Sequence, residues 1–496
     1  MTERTVEASE PLIAGAAQKT WKGDCPGPVA MFAEALTLAS EDSGAGRALL
    51  ERLDALCVVK YISAEHQDPA RLISDQLGIS PAQRMHTCNG GDTPQAVIGE
   101  LSGRIASGDL DAVAIVGGEA MKTWAHHDRH GTETGWSDDQ PDSQPHEIFG
   151  VDRWGNSEAE MAVGFVAPIM VYPLFEHALW AKHGGSRDGL AQQLGELQEH
   201  FSAVAALNPH AWGPTGMSAS DIATPSATNR MVSLPYTKAM NANIQTDQAA
   251  AVILVSSRLA DELGIALSKR IYIQGSAHAT ETWNFSERDD LSRSPAIGRA
   301  ACDALGQAET TVDELTTLDI YSCFPSAVKI ACEEIGIDIA SQERTLTQTG
   351  GLAFAGGPGN GYVLQSIAST VESLRQKGGT GMVTAVGWYL TKNGVGIYGT
   401  EPPKTPFTDQ KKTEEAPPSR SVATGPNLGE ATAETATVIY DRAGSPALGL
   451  LTALLPDGSR ALRGTGDQQL LAWIDSGEPV TGKKIGLNAE TEFEVL

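Results

Sequence analysis

Apolar residues recur along this chain in two forms. Short continuous runs suit buried strands, and i, i+3, i+4 stripes suit helices, so their alternation predicts a layered α/β fold. Residues 11–18 read as a first strand, 29–39 as an amphipathic helix, 56–61 as a second strand and 70–77 as a short helix. In residues 87–121 a glycine pair, Gly90-Gly91, leads into Asp92-Thr93-Pro94. That is a good helix start, because Asp or Thr caps free N–H groups and Pro suits the first turn. Val97, Ile98, Leu101 and Ile105 continue at helical spacing to Gly108, and 112–116 is a buried strand closed by Gly117-Gly118. Residues 122–157 are polar and aperiodic and read as a loop excursion, followed by helical spacing over 162–200. Residues 233–256 read as a polar lead-in, a small-residue helix start and a strand at 251–255, with a short helix over 257–263.

A second alternating block begins at residue 271. A strand there precedes a helix at 296–305, a strand at 318–321 and a helix at 326–335. A glycine-rich loop at 350–361, a helix at 362–376 and a strand at 382–386 complete it. Gly91 to Gly117 and Gly361 to Gly387 are equally spaced and enclose the same order of turn, helix, turn and strand, which predicts an internal duplication. The expected halves are 1–256 and 257–400. Residues 401–430, with two Pro-Pro pairs and little apolar content, read as a linker or surface-hugging connection. Residues 431–496 then show short strands at 435–440, 447–454 and 459–462, a helix at 468–475 and a last strand at 492–496, a small β-rich domain that an OB-like barrel would suit.

Composition narrows the partners. Of 496 residues 41% are hydrophobic and 20% charged, and the net charge is −26, which argues against nucleic acid or an anionic membrane as the main partner. The apolar runs are far too short to span a bilayer, and the N-terminus lacks a basic start and an apolar core. The 6 cysteines form no CxxC pair, so a reduced, cytoplasmic protein is expected.

Five stretches, TCNGGDTPQ…GGEAM, NRMVSLPYTKAMNANIQTDQAAAVIL, IYSCFPSA, GGLAFAGGPGNGY and AVGWYLTKNGVGIY, resemble the thiolase superfamily, and within it the thiolase-like type 1 branch near the sterol-carrier-protein thiolases. The resemblance spans about residues 10–400, and the tail resembles that branch's extra C-terminal domain. It implies two βαβαβαββ halves stacked as a five-layered αβαβα core, with acyl-CoA as ligand, no resident cofactor and a monomer favoured over a dimer. It also equates four positions with the family's catalytic loops: Gly91 with the acylated cysteine, Tyr321 with the Asn or His that holds the thioester oxygen, Gly357 with the activating histidine, and Ala385 with the second cysteine. A glycine offers no nucleophile. Cys88 lies upstream of the glycine pair and is a candidate nucleophile only if the loop is rebuilt. Tyr321 can donate to an oxyanion, with Cys323 close by in sequence.

The backbone around Gly91, Asp92 and Thr93, together with Gly357, Asn360, Gly387 and Trp388, forms the expected substrate- and oxyanion-binding set. For Asn360 a turn-and-cap role competes with ligand contact. His126, His127 and His130 have metal-like spacing but sit in the polar excursion, so no metal site is assigned. Gly350–Gly361 lacks the GK[ST] of a P-loop. Three functions follow: an acyl-CoA-recognising protein outside ordinary thiolysis, a retro-aldol lyase acting on a 3-hydroxyacyl-CoA through Tyr321, or a non-catalytic binding protein. If it is an enzyme, it is an acetyltransferase-like acyltransferase or an acyl-CoA aldolase.

Overall fold

The computed structural model describes residues 7–136, 142–213, 216–341, 344–488 and 493–496. The alternating pattern forms one long mixed sheet whose strands run, in spatial order, Thr317–Asp319, Thr380–Gly387, Lys392–Gly399, Ile271–Thr280, Pro11–Thr20, Asp247–Ser256, Ala112–Ala120, Ala55–Val58, Gln83–Thr87 and Glu147–Phe149. Its two halves meet at a single short antiparallel contact, where Leu12 faces Tyr272 and Ile13 faces Ile271. On either side of that seam four strands repeat the same spatial order: Ala55–Val58, Ala112–Ala120, Asp247–Ser256 and Pro11–Thr20 in one half, Thr317–Asp319, Thr380–Gly387, Lys392–Gly399 and Ile271–Thr280 in the other. The duplication suggested by glycine spacing is thus a duplication of topology.

Helices Thr93–Ala106 and Tyr362–Lys377 each pack against strands of both halves. They bury almost all of their surfaces, Val97, Ile98, Leu101 and Ile105 on the first and Val363, Leu364, Ile367 and Val371 on the second. A helix buried all round belongs in the middle of a stack, not on its face. Helix Pro28–Asp42 covers the outside of the first half and Pro295–Gln307 the outside of the second, which completes five layers. The loop before the second central helix comes close to the first half: a Cβ on Gly361 would lie 2.5 Å from the Gly118 nitrogen.

Several segments differ from the sequence reading. The 122–157 excursion contains helix Met121–His130 and the edge strand Glu147–Phe149, which pairs in parallel with Gln83–Thr87. The expected helix start before residue 251 is absent, because Asp247–Ser256 is one continuous, fully buried strand between two antiparallel partners. Small residues such as Ala249–Ala251 suit a strand enclosed on both faces as well as they suit a helix. Strands Gln83–Thr87 and Lys392–Gly399 were not anticipated.

The 401–430 connection is more than a linker. Lys411–Thr413 joins Ile271–Thr280 in parallel, and Val422–Ala423 joins the second sheet. That second sheet holds Val422–Ala423, Arg460–Thr465, Pro446–Leu454, Gly429–Tyr440, Lys484–Leu487 and Glu494–Val495, with Met231–Ser233 from the first half added to Gly429–Tyr440. The β-rich domain is docked through helix Pro168–His183, whose His177 faces the backbone N–H groups of Ala436 and Val480 at 3.2 Å each. Buried Arg460 also bridges, bonding Glu434 and the carbonyls of Ser286 and Arg288. Among the described residues no helix is long and apolar enough to cross a membrane.

Candidate active site

The turn that starts the first central helix is tied from both halves. Thr93 directs its N–H and its hydroxyl to the Gly90 carbonyl, at 3.1 and 2.7 Å. Asn360, from the loop before the second central helix, accepts from the Gly90 N–H at 3.0 Å and donates to the Lys60 carbonyl and Asn89 Oδ1 at 2.9 and 2.8 Å. All of its amide hydrogen bonds described here are spent on holding the two loops together.

Gly91 is closed in. A Cβ built there would lie 2.6 Å from the Tyr321 hydroxyl and 2.6 Å from the Val386 carbonyl oxygen. The space that a side chain at 91 would need is therefore filled by Tyr321, which follows strand Thr317–Asp319 and is fixed by its N–H to Thr384 Oγ1 (2.8 Å) and by edge-on packing against Tyr362 at 5.7 Å. Burial pushes the Tyr321 phenol well above its usual range, and nearby Cys323, Tyr362 and Asp92 add to the effect. It is a hydrogen-bond donor that keeps its proton.

Neither candidate cysteine has thiolate character. Burial pushes the Cys323 thiol up to about 12. Burial and then Asp152 raise Cys88, and Lys392 and Lys60 do not offset them. Cys88 also precedes the turn, with its N–H on the Phe149 carbonyl at 2.7 Å, so it lies off the helix start. Gly357 is buried, its N–H bonded to the Asn243 carbonyl at 2.9 Å. Trp388 has φ 56° and rests on Trp154 with ring centres 5.0 Å apart, while its carbonyl accepts from the Tyr172 hydroxyl at 2.8 Å.

The helix start, expected to hold an anion, carries a charge cluster of its own. Asp92 does not cap the helix. Its carboxylate turns away to a buried cluster, with Oδ2 2.9 Å from His278 Nε2 and Oδ1 3.0 Å from the Lys392 ammonium. Burial alone would raise its pKa, but the Lys392 charge and the His278 hydrogen bond outweigh that and hold it at about 2. Lys392 balances the charge of that carboxylate, and the Thr93 N–H is already bonded to the Gly90 carbonyl. Gly387 belongs to this cluster, since a Cβ on it would lie 2.0 Å from Asp92 Oδ1. Lys392 also donates to the Asn89 carbonyl at 3.0 Å.

Sequence reasoning missed His278 and Lys392. Lys392 carried a signal, a lysine opening the run NGVGIY, which reads as a buried strand. His278 carried none, because Asp92 and His278 meet only through the pairing of distant strands. Together with Trp283, Phe149 and Val97 the three polar residues line a cavity of about 380 Å3, one that Tyr321, Cys323 and Gly357 do not line. His126 and His130 sit on a helix, not in a loop, with rings 4.3 Å apart; His130 bonds the His126 carbonyl and His127 bonds Thr132. Among the described residues no group of three potential ligands forms a metal site.

Stacked duplicated halves, two buried central helices and a cluster of loops at their N-termini define a thiolase-fold protein. The model of the thiolase-like protein type 1 additional C-terminal domain matches residues 410–492, which places the domain's start within the connection, ahead of residue 431. A monomeric SCP2-thiolase-like protein type 1 from Mycobacterium smegmatis is 30% identical with a TM-score of 0.84, over 99% of this chain and 100% of that one. The chain belongs to the SCP2-thiolase-like protein type 1 family. An acetyl-CoA acetyltransferase from Methanothermobacter thermautotrophicus is 25% identical over 392 residues, 75% of this chain and 92% of that protein. The Ltp2-ChsH2(DUF35) aldolase shares the fold, with a TM-score of 0.60, 18% identity, and 79% and 98% of the two chains covered.

Proposed function

We propose that this protein is a cytoplasmic, monomeric acyl-CoA-binding member of the thiolase fold that does not run cysteine-based thiolysis or Claisen condensation. The observation that carries the reading is the closed space at Gly91. A nucleophile is absent from that position, and Tyr321 and the Val386 carbonyl leave no room for a substitute side chain. Covalent acyl transfer also needs a base to activate the nucleophile, and Gly357 stands where the family resemblance puts one. Loss of nucleophile and base together leaves only binding and oxyanion terms, orders of magnitude short of the full apparatus. The acyl-CoA ligand is supported by the resemblance and by the acetyl-CoA acetyltransferase relative; a monomer is supported by the Mycobacterium relative. Calorimetry with acetyl-CoA and longer acyl-CoAs tests the binding. Saturable binding without thiolysis of acetoacetyl-CoA in the presence of CoA is expected. Turnover that Cys88→Ala abolishes, or no binding at millimolar acyl-CoA, would overturn the reading.

A second reading is favoured by the position of the Tyr321 hydroxyl. In a retro-aldol cleavage a base takes the proton of the 3-hydroxyl, the oxygen's freed electron pair forms the new carbonyl, and the bond between the α and β carbons breaks. The electron pair passes to the thioester enolate, which is protonated at the α carbon. A phenol that keeps its proton is suited to donate to that enolate oxygen and unsuited to be the base. Release of an aldehyde or ketone from a 3-hydroxyacyl-CoA, lost in Tyr321→Phe, would favour lyase chemistry; its absence leaves the binding protein.

A further inference from the structure

The cavity beside Asp92 lies apart from Tyr321, Cys323 and Gly357, none of which lines it. We propose that it binds a compact aromatic alcohol of one or two rings, whose hydroxyl donates to His278. The volume of about 380 Å3 lies in the range of small-molecule sites, roughly 300–1,000 Å3. Val97, Phe149, Val151 and Trp283 make the wall mostly apolar. Val151, at the edge of the lining, is 56% exposed.

The polar end is organised for a hydroxyl. The Asp92 carboxylate only accepts, so an imidazole proton sits on the Nε2 that faces it, and in the neutral ring Nδ1 is left as the acceptor. Asp92 and the Asn89 carbonyl pin the Lys392 ammonium beside the ring. A fixed cation nearby favours a hydroxyl that carries partial negative charge, which suits a phenol better than an alkanol. Charged ligands fit poorly: Asp92, Glu100 and Glu414 against Lys392 and Lys412 leave the lining with an excess of negative charge that disfavours a carboxylate. The Glu100–Lys412 pair sits at the solvent-exposed rim, Lys412 being 57% exposed.

The test is calorimetric titration of the full chain with 2-naphthol and with 2-methoxynaphthalene, which keeps the rings and loses the donor. Saturable one-to-one binding of 2-naphthol is expected, with the ether weaker by about five- to tenfold, the worth of one such hydrogen bond. His278→Phe should lower naphthol affinity to that of the ether. Ala96→Leu, which fills the wall one helical turn from Asp92 and leaves all three polar side chains in place, should abolish binding of both and covers the case in which the His278 variant fails to fold. The proposal is overturned if the native chain shows no saturable binding, if the ether binds as tightly as the naphthol, or if Ala96→Leu leaves both affinities unchanged. None of these results depends on acyl-CoA binding.

Discussion

Gly91→Ala isolates the closed space at the head of the first central helix. Gly91 does not have a positive φ, so its backbone accepts an L-residue without strain. With room for a methyl group the substitution would stabilise by about 0.4–1 kcal/mol, because Ala loses less chain entropy on folding. Room is what is missing. The new Cβ would meet the Tyr321 hydroxyl and the Val386 carbonyl at 2.6 Å each, and one of the two is backbone in a central strand. Overpacking of this kind costs about 1–3 kcal/mol. The net expectation is destabilisation by about 1–2 kcal/mol. Tyr321→Phe removes one obstacle but leaves the ring carbon at 3.3 Å and the carbonyl in place. In a double-mutant cycle it should therefore recover part of the loss, with a coupling of about 0.5–1 kcal/mol. Urea unfolding of the four proteins at pH 7, followed by circular dichroism, supplies the cycle. A Gly91→Ala midpoint equal to or above that of the native chain would refute the reasoning, because it would mean that the helix head has space for a side chain.

Two further outcomes follow from buried charge. Lys392→Met strands the Asp92 carboxylate and should cost about 3–5 kcal/mol, read from the same urea curves; a loss below about 1 kcal/mol would mean that water already reaches the pair. Burial, with a smaller push from Lys483, pulls the His177 pKa down to about 4 from 6.5, so between those values the unfolded chain holds more protons and stability falls as the pH is lowered. The neutral ring accepts from one of the two N–H groups that face it, a protonated ring accepts from neither, and the effect is about 3 kcal/mol across the window. Burial raises Glu119 to about 7, so Glu119 acts in the opposite sense over the same range, and the readout is the slope difference between the native chain and His177→Gln; equal slopes would exclude His177 as the source.

The layering was legible because continuous apolar runs and period-3.6 stripes alternate cleanly, and because the two glycine-led helices repeat each other. What was misread had ambiguous local chemistry. The run at 249–251 is all alanine, which suits a helix as well as a strand enclosed on both faces, and only its partners Pro11–Thr20 and Ala112–Ala120 decide. Asp92 looked like a cap because Asp before Thr-Pro is a common helix start; a buried lysine from a strand 300 residues later claims its carboxylate instead. The missing nucleophile at Gly91 was a statement about one residue. The occupation of that space by Tyr321 is a statement about two halves of the molecule, and no spacing along the chain encodes it.

The strand Lys411–Thr413 has a consequence for the order in which this protein is made. Asp92, Phe149, His278, Lys392 and Lys412 reach the same cavity from five separate places in the chain, and the last wall comes from the connection ahead of the C-terminal sheet. On the ribosome the first half can collapse around its central helix long before that wall is synthesised, since domains form as units from the N-terminus. Until the second half packs against it, the apolar side of the first central helix faces solvent, and the wall that carries Lys412 closes last. The interval between translation of the first half and packing of the second half against it is therefore when the chain is most exposed to aggregation, and a chaperone that binds apolar helix faces would act there.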